Sequence, residues 1–249
     1  MQSSLVVRVK GKTETTQVKD ELASRIIPGI RACVFDAYGT LFDYASAASR
    51  GLRGLGDTST RLSQLWRDKQ LQYTWLRAAQ DRHADFWQVT SDALDFALET
   101  LGLSDPELHK RLMQLYLSLE PFPEVKDVLR VLKAGGMKTA ILSNGTPEML
   151  DHLVKNAGLE ALLDLVLSVE EVGVFKPSPL VYQLAVDHLA LAPHEIAFLS
   201  SNAWDAYAAS AFGMRVIWCN RYAQKPERLP GKPDHVIPSL SELPPLLGL

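Results

Sequence analysis

Five short apolar runs rich in Val, Ile and Phe recur along the chain: ACVFD (32–36), KTAILS (138–143), DLVLSV (164–169), EIAFLS (195–200) and RVIWC (215–219). They are nearly continuous rather than alternating, the pattern of strands in a parallel sheet covered on both faces. Helical patterns lie between the last four. PEVKDVLRVLKAGG sets Val125, Val128, Leu129 and Leu132 on one stripe before a Gly-Gly stop. TPEMLDHLVKNAG has Thr146 to cap it, Pro147 in its first turn and Gly158 at its end. SPLVYQLAVDHL and AWDAYAASAFG complete the alternation. The pattern predicts an α/β fold built on a doubly wound parallel sheet.

The first strand breaks this rhythm, because a long helical interval separates it from the next unit. RLSQLWRDKQLQYTWLRAAQ carries Leu62, Leu65, Trp66, Tyr73 and Leu76 at helical spacing, and SDALDFALETLG repeats the pattern. Residues 44–120 are therefore expected to form an all-helical cap subdomain inserted after the first strand. PFPEV (121–125) returns the chain to a core made of residues 26–43 and 121–249. Residues 1–25 read as a polar N-terminal arm without a legible role. Near the other end, HVI reads as an edge strand followed by a short terminal helix.

Composition narrows the function classes. Hydrophobic residues make up 47% of the 249 and charged residues 22%, the balance of a folded chain with a substantial core. A net charge of −3 gives no electrostatic basis for binding nucleic acid or an anionic membrane. No apolar run is long enough to span a bilayer, and MQSSLVVRVKGKTE lacks the apolar core of a secretory signal, so a cytoplasmic location is the expectation. Cys33 and Cys219 both sit inside strand-like runs and read as buried small hydrophobes, not as a disulfide or zinc site.

In an open parallel sheet the ligand crevice lies beyond the carboxyl ends of the strands. The polar residues at those ends are therefore the candidates. The first strand offers Asp36, Ala37, Tyr38, Gly39 and Thr40, and the second Ser143 and Asn144. The third leads to VGVFKPSP with Lys176, and the fourth to Ser200, Ser201, Asn202 and Asp205. Each has a bland reading alone: Ser143 and Asn144 as helix caps, Lys176 as a solvated loop lysine, Asp205 as a first-turn carboxylate. Their convergence from four segments favours a site. None of the six histidines falls in these segments, and His152 and His188 read as helix-surface or rim residues.

These segments, in this order, resemble the four motifs of the haloacid dehalogenase superfamily. FDAYGTLFD, WRDKQLQYTWLR, SNG, FKPSPLVY and SSNAWDA are similar, more narrowly, to the L-2-haloacid dehalogenases. The resemblance runs from about residue 31 to the C-terminus, cap included, and its most specific parts are SSNAWDA and WRDKQLQYTWLR. Superfamily phosphatases keep an acid/base aspartate two residues after the nucleophile and a magnesium-binding carboxylate after the fourth strand, since Mg²⁺ requires hard oxygen ligands. Tyr38 and Ser201 stand at those places here. No metal or other cofactor is thus expected, and Lys176 is the positive charge left to balance Asp36.

The resemblance implies a hydrolase acting on carbon–halide bonds of short L-2-haloalkanoic acids, in two displacement steps. It makes Asp36 the nucleophile and Asp205 the activator of the hydrolytic water, placed by Lys176, Ser200 and Asn202. Arg67 and Asn144 would receive the halide. Arg67 and Leu71 fall within about 40° of each other on a helix, off the Trp66 stripe, so that face can look into the cleft. Thr40 and Ser143 would hold the substrate carboxylate, and Tyr38, Leu71, Phe86 and Trp204 would wall the alkyl tail. Tyr182 would also line the site or position Lys176, core packing being the alternative. A homodimer is a family-level expectation. Asp68 departs from the family pattern, which has a neutral amide there; a carboxylate facing an anionic substrate repels it unless it turns to Arg67 or Lys69. A magnesium phosphatase, a hydrolase of strained cyclic amino acids and a non-catalytic small-acid binder are the rival readings.

Overall fold

The structure, a computed structural model, describes residues 26–44, 56 and 58–249. The expected N-terminal arm and the beginning of the cap fall outside the described residues. Six strands form one sheet: β1 (Ala32–Phe35), β2 (Lys138–Ser143), β3 (Leu165–Ser168), β4 (Ile196–Ser200), β5 (Arg215–Cys219) and β6 (His235–Ile237). Their spatial order is β3-β2-β1-β4-β5-β6 and every pairing is parallel. The order reverses at β1, which pairs Ala32–Phe35 with Lys138–Ile141 on one side and with Ile196–Leu199 on the other. That reversal is where a doubly wound sheet opens a crevice.

Burial explains why these runs are continuous rather than alternating. All four residues of β1 are inaccessible to solvent, and four of five in β5 are buried, because helices cover both faces. The covering helices are α4 (Val125–Ala134), α5 (Pro147–Ala157), α6 (Pro179–Leu189) and α7 (Ala203–Phe212), with a short terminal helix α8 (Leu243–Leu246). The Thr146 hydroxyl accepts the Met149 N–H at the start of α5, and Gly158 ends it in the left-handed region at φ 58°. Edge strand β3 leaves Val166 40% exposed, since it has a neighbour on one side only.

The helical interval forms α1 (Thr58–Gln80), α2 (Phe86–Thr100) and α3 (Pro106–Leu115). The chain leaves and re-enters the core through a narrow neck, where Asp43 N–H donates to the Glu120 carbonyl and Phe122 N–H to that of Leu41, each at 2.9 Å. Packing of α1 departs from the sequence expectation. Its buried stripe is Leu62, Trp66, Gln70 and Thr74, while Leu76 is 47% exposed. A strict four-residue spacing selects one line along the helix, and that line contains two polar residues whose hydrogen-bonding groups find partners: Gln70 on α2, and Thr74 in the α1 backbone at Leu71. Among the described residues, no helix is long and apolar enough to cross a membrane.

Candidate active site

Asp36 comes directly after the last residue of β1, and its N–H still donates to Leu199 at 2.9 Å, so the sheet ladder fixes where its side chain starts. The turn beyond it closes through Gly39, whose φ of 82° suits glycine. One carboxylate oxygen of Asp36, Oδ2, receives Asn202 Nδ2 at 2.8 Å, Thr40 Oγ1 at 3.1 Å and Ser200 Oγ at 3.5 Å. The other, Oδ1, receives Lys176 Nζ at 3.1 Å. The same ammonium donates to Asp205 Oδ2 at 2.8 Å, and the Tyr182 hydroxyl donates to Asp205 Oδ1 at 2.7 Å.

A lysine only 1% exposed between two carboxylates is an electrostatic arrangement with a definite sign. Burial by itself would pull the Lys176 pKa down, but Asp205 and Asp36 outweigh it and the ammonium stays charged above its ordinary range. For Asp205, burial is the largest influence and pushes its carboxyl up; Lys176 opposes that and Asp36 adds to it, leaving the pKa raised. Burial, then the neighbouring Tyr116 and Asp36, also drives the Tyr38 hydroxyl well above its usual value, so Tyr38 is a neutral phenol.

Helix α7 supplies Asp205 in its first turn, where the helix dipole favours a carboxylate. Asn202 occupies the N-cap position of that helix yet makes no capping bond with its side chain. Its Nδ2 goes to Asp36 and to the Tyr38 carbonyl, and its Oδ1 accepts Arg67 Nη2 at 3.2 Å. Arg67 thus reaches from the cap to the core. Arg67, Asp68, Leu71, Asn202 and Trp204 line a cavity of about 470 Å³ between the two.

The other expected residues sit deeper, or at the rim. Thr40 is fully buried; its hydroxyl proton is directed at Asp36 and its oxygen accepts the Ser201 N–H at 2.8 Å. Ser143 Oγ accepts the Gly145 N–H at 3.1 Å. Asn144 does not meet Arg67: its Oδ1 accepts the Lys176 N–H at 3.0 Å. Phe86 and Tyr38 pack with tilted rings, centroids 5.7 Å apart, and neither is in the lining of the 470 Å³ cavity. Tyr182 is 1% exposed and its hydroxyl donates to Asp205, the carboxylate that also accepts Lys176 Nζ, so Tyr182 meets the lysine through Asp205. Gly145 lies against Tyr38, where an added Cβ would stand 2.9 Å from the phenol oxygen. Asp68 is on the rim of the cavity, and both partners expected for it are engaged: Arg67 with Gln70 and Asn202, Lys69 with Gln72.

Two contributors escape a reading confined to the first four strand ends. Arg221, just after β5, donates from Nη2 to the Thr40 carbonyl at 2.9 Å and from Nη1 to Glu124 at 2.6 Å, bracing the loop beyond Asp36. The same reasoning applied to the fifth strand finds it. Gln70, which receives Arg67 Nη1 at 2.7 Å, is on the same helix three residues on, a spacing that puts side chains together.

The haloacid dehalogenase-like hydrolase family model matches residues 30–213. (S)-2-haloacid dehalogenase 1 of Pseudomonas sp. (strain CBS-3) is 47% identical over 220 residues, covering 88% of this chain and 96% of that protein. (S)-2-haloacid dehalogenase 4A of Burkholderia cepacia is 44% identical over 90% of this chain and 97% of its own length. The structure of L-2-haloacid dehalogenase from Xanthobacter autotrophicus with chloropropionic acid covalently bound superposes with a TM-score of 0.82 at 40% identity, covering 88% of this chain and 98% of that one. Identity at this level over nearly the whole length means that the chain belongs to the haloacid dehalogenase-like hydrolases and, within them, to the (S)-2-haloacid dehalogenase family.

Proposed function

We propose that the protein hydrolyses short-chain L-2-haloalkanoic acids to 2-hydroxy acids and halide, with inversion at C2. The observation that carries this is the Asp36 carboxylate, set at the strand end between Lys176 on one oxygen and Thr40, Ser200 and Asn202 on the other. Fixed donors hold the nucleophile in one orientation, which lowers the entropic part of the barrier. The carboxylate attacks C2 from behind the carbon–halogen bond: an oxygen–carbon bond forms, the carbon–halogen electron pair leaves with the halide, and Asp36 becomes an ester. Tyr38, a neutral phenol where an acid/base carboxylate would serve phosphoryl transfer, suits attack on carbon.

Arg67 and Asn144 receive the halide. Arg67 supports this from the cavity wall, and Asn144 because its Oδ1 is used by Lys176, which leaves the amide N–H groups for an anion. In the second step Asp205 takes a proton from water as its oxygen adds to the ester carbonyl of Asp36; the acyl carbon–oxygen bond then breaks, the departing C2 oxygen takes that proton back from Asp205, and Asp36 is restored as a carboxylate. The raised pKa of Asp205 makes it a stronger base than an ordinary aspartate. Lys176, Ser200 and Asn202 place that water; Ser143 helps hold the substrate carboxylate, and Leu71 and Trp204, in the cavity lining, wall the alkyl group. A cytoplasmic homodimer needing neither metal nor cofactor is part of the same proposal and rests on the family resemblance.

Halide release from L- and D-2-chloropropionate, chloroacetate and fluoroacetate, with wild type beside Asp36→Asn, tests the function. Release from the L isomer by wild type, and none by the variant, is expected; no halide from any substrate refutes it. Single turnover in H₂¹⁸O tests the ester, because label must enter Asp36 before it reaches product.

A further inference from the structure

We propose that Gln70 is the positioning residue for Arg67, anchoring one edge of the guanidinium with a neutral acceptor so that the full positive charge remains for the departing halide. This rests on the function proposed above. Gln70 is completely buried, in the stripe of α1 that faces α2. Its Oε1 accepts Arg67 Nη1 at 2.7 Å and the Tyr116 hydroxyl at 3.5 Å, and its Nε2 donates to Thr90 Oγ1 at 2.7 Å.

The orientation of that amide is set by its partners. Thr90 spends its hydroxyl proton on the Phe86 carbonyl at 2.6 Å, one turn back on α2, so toward Gln70 it can only accept. Burial raises the Tyr116 hydroxyl to about 12, so it remains a donor. A guanidinium is donor-only as well. With an acceptor on one side and two donors on the other, Nε2 must face Thr90 and Oε1 must face Arg67. Trp66 Nε1 fixes Thr90 in turn, by donating to its carbonyl at 2.9 Å.

This chain of bonds ties Arg67 to the first turns of α2 while Arg67 Nη2 reaches Asn202 and the Tyr44 ring lies 5.0 Å from its Cζ. A carboxylate at the position would hold the guanidinium equally well but would cancel part of its charge, and an apolar side chain would release it. A neutral acceptor does neither. The buried Gln is otherwise costly on a cap helix, where a Leu would pack without needing partners.

The test is pre-steady-state halide release from L-2-chloropropionate and L-2-bromopropionate by wild type, Gln70→Glu and Gln70→Met, each with its melting temperature. Loss of charge at the halide site slows the poorer leaving group more. Chloride release by Gln70→Glu should fall by about tenfold or more, because a carboxylate against the guanidinium offsets the charge that the halide meets, and the chloride-to-bromide rate ratio should fall with it. Gln70→Met should lower the same ratio; if it does not fold, Gln70→Glu, which retains an acceptor for Arg67, decides. Equal losses for both halogens, or wild-type rates, overturn the inference while leaving the function standing. No halide release by wild type overturns both.

Discussion

Replacing Lys176 by Met removes the one ammonium that Asp36 and Asp205 share, at 3.1 and 2.8 Å, and leaves two carboxylates that are 6% and 0% exposed. An attraction of about 4 kcal/mol per pair at an effective dielectric of 20 had offset desolvation costs of several kcal/mol per ion. Breaking such a pair from one side costs about 3–5 kcal/mol, against a typical domain stability of roughly 5–15, so the variant should fold with a large deficit. The deficit should depend on pH in a definite direction. The Asp205 pKa, already above 3.8, rises further without the cation. A group whose folded pKa is raised contributes stability below its unfolded pKa and loses it as pH rises through the folded one. The gap between variant and wild type should therefore be widest near neutrality and shrink toward pH 3.8. The raised Lys176 pKa of the wild type obeys the same rule but acts only above 10.5, outside this window. Urea denaturation from neutrality down to pH 3.8, with unchanged m-values, measures the gap. A gap constant across that range, or below about 1 kcal/mol, would refute the assignment of Lys176 as the shared counter-charge.

Three further outcomes are expected. The acid limb of kcat, which includes ester hydrolysis, should have its midpoint above 3.8, because Asp205 must ionise to act as base and its pKa is raised; a midpoint below that value contradicts the role. Asp68→Asn should lower KM by up to about fivefold at low ionic strength, since a rim carboxylate repels an anionic substrate weakly, and added salt should erase the difference. Arg221→Met should slow the first step through Thr40, whose carbonyl it braces, with the same fold-loss for chloride and bromide leaving groups; halogen-dependent loss would place Arg221 at the halide instead.

The sheet and the strand-end residues were legible because a parallel sheet collects the carboxyl ends of its strands on one side, so Asp36, Lys176, Ser200, Asn202 and Asp205 had to converge once the strands were identified. The cap was harder to read. Apolar spacing picked out Leu62 and Trp66 of its first helix but also Leu76, which faces solvent, and passed over Gln70 and Thr74, which are buried. Hydrophobic periodicity records what packs without partners; a buried amide announces itself only through groups on other segments, here Thr90 and Tyr116. Tyr182 illustrates the same limit, for its bond to Asp205 depends on how α6 packs against α7.

Asn202 shows how a broken local rule marks function. At an N-cap, an asparagine side chain that bonds the first turn is worth about 1 kcal/mol. Asp85 and Thr146 make that bond at the starts of α2 and α5. Asn202 has the extended backbone of a cap, φ −80° and ψ 110°, and forgoes the bond. Its amide instead donates to Asp36 and accepts from Arg67, which no requirement of helix α7 explains. Part of the loss is recovered when Ser200 Oγ accepts the Asn202 N–H at 3.1 Å. The side chain has been diverted from stabilising a helix to joining the nucleophile with the cap arginine. On the proposed mechanism, substrate entering between Asp36 and Arg67 displaces or shares the Asn202 contact, which would couple attack at one end of the carbon–halogen bond to halide capture at the other.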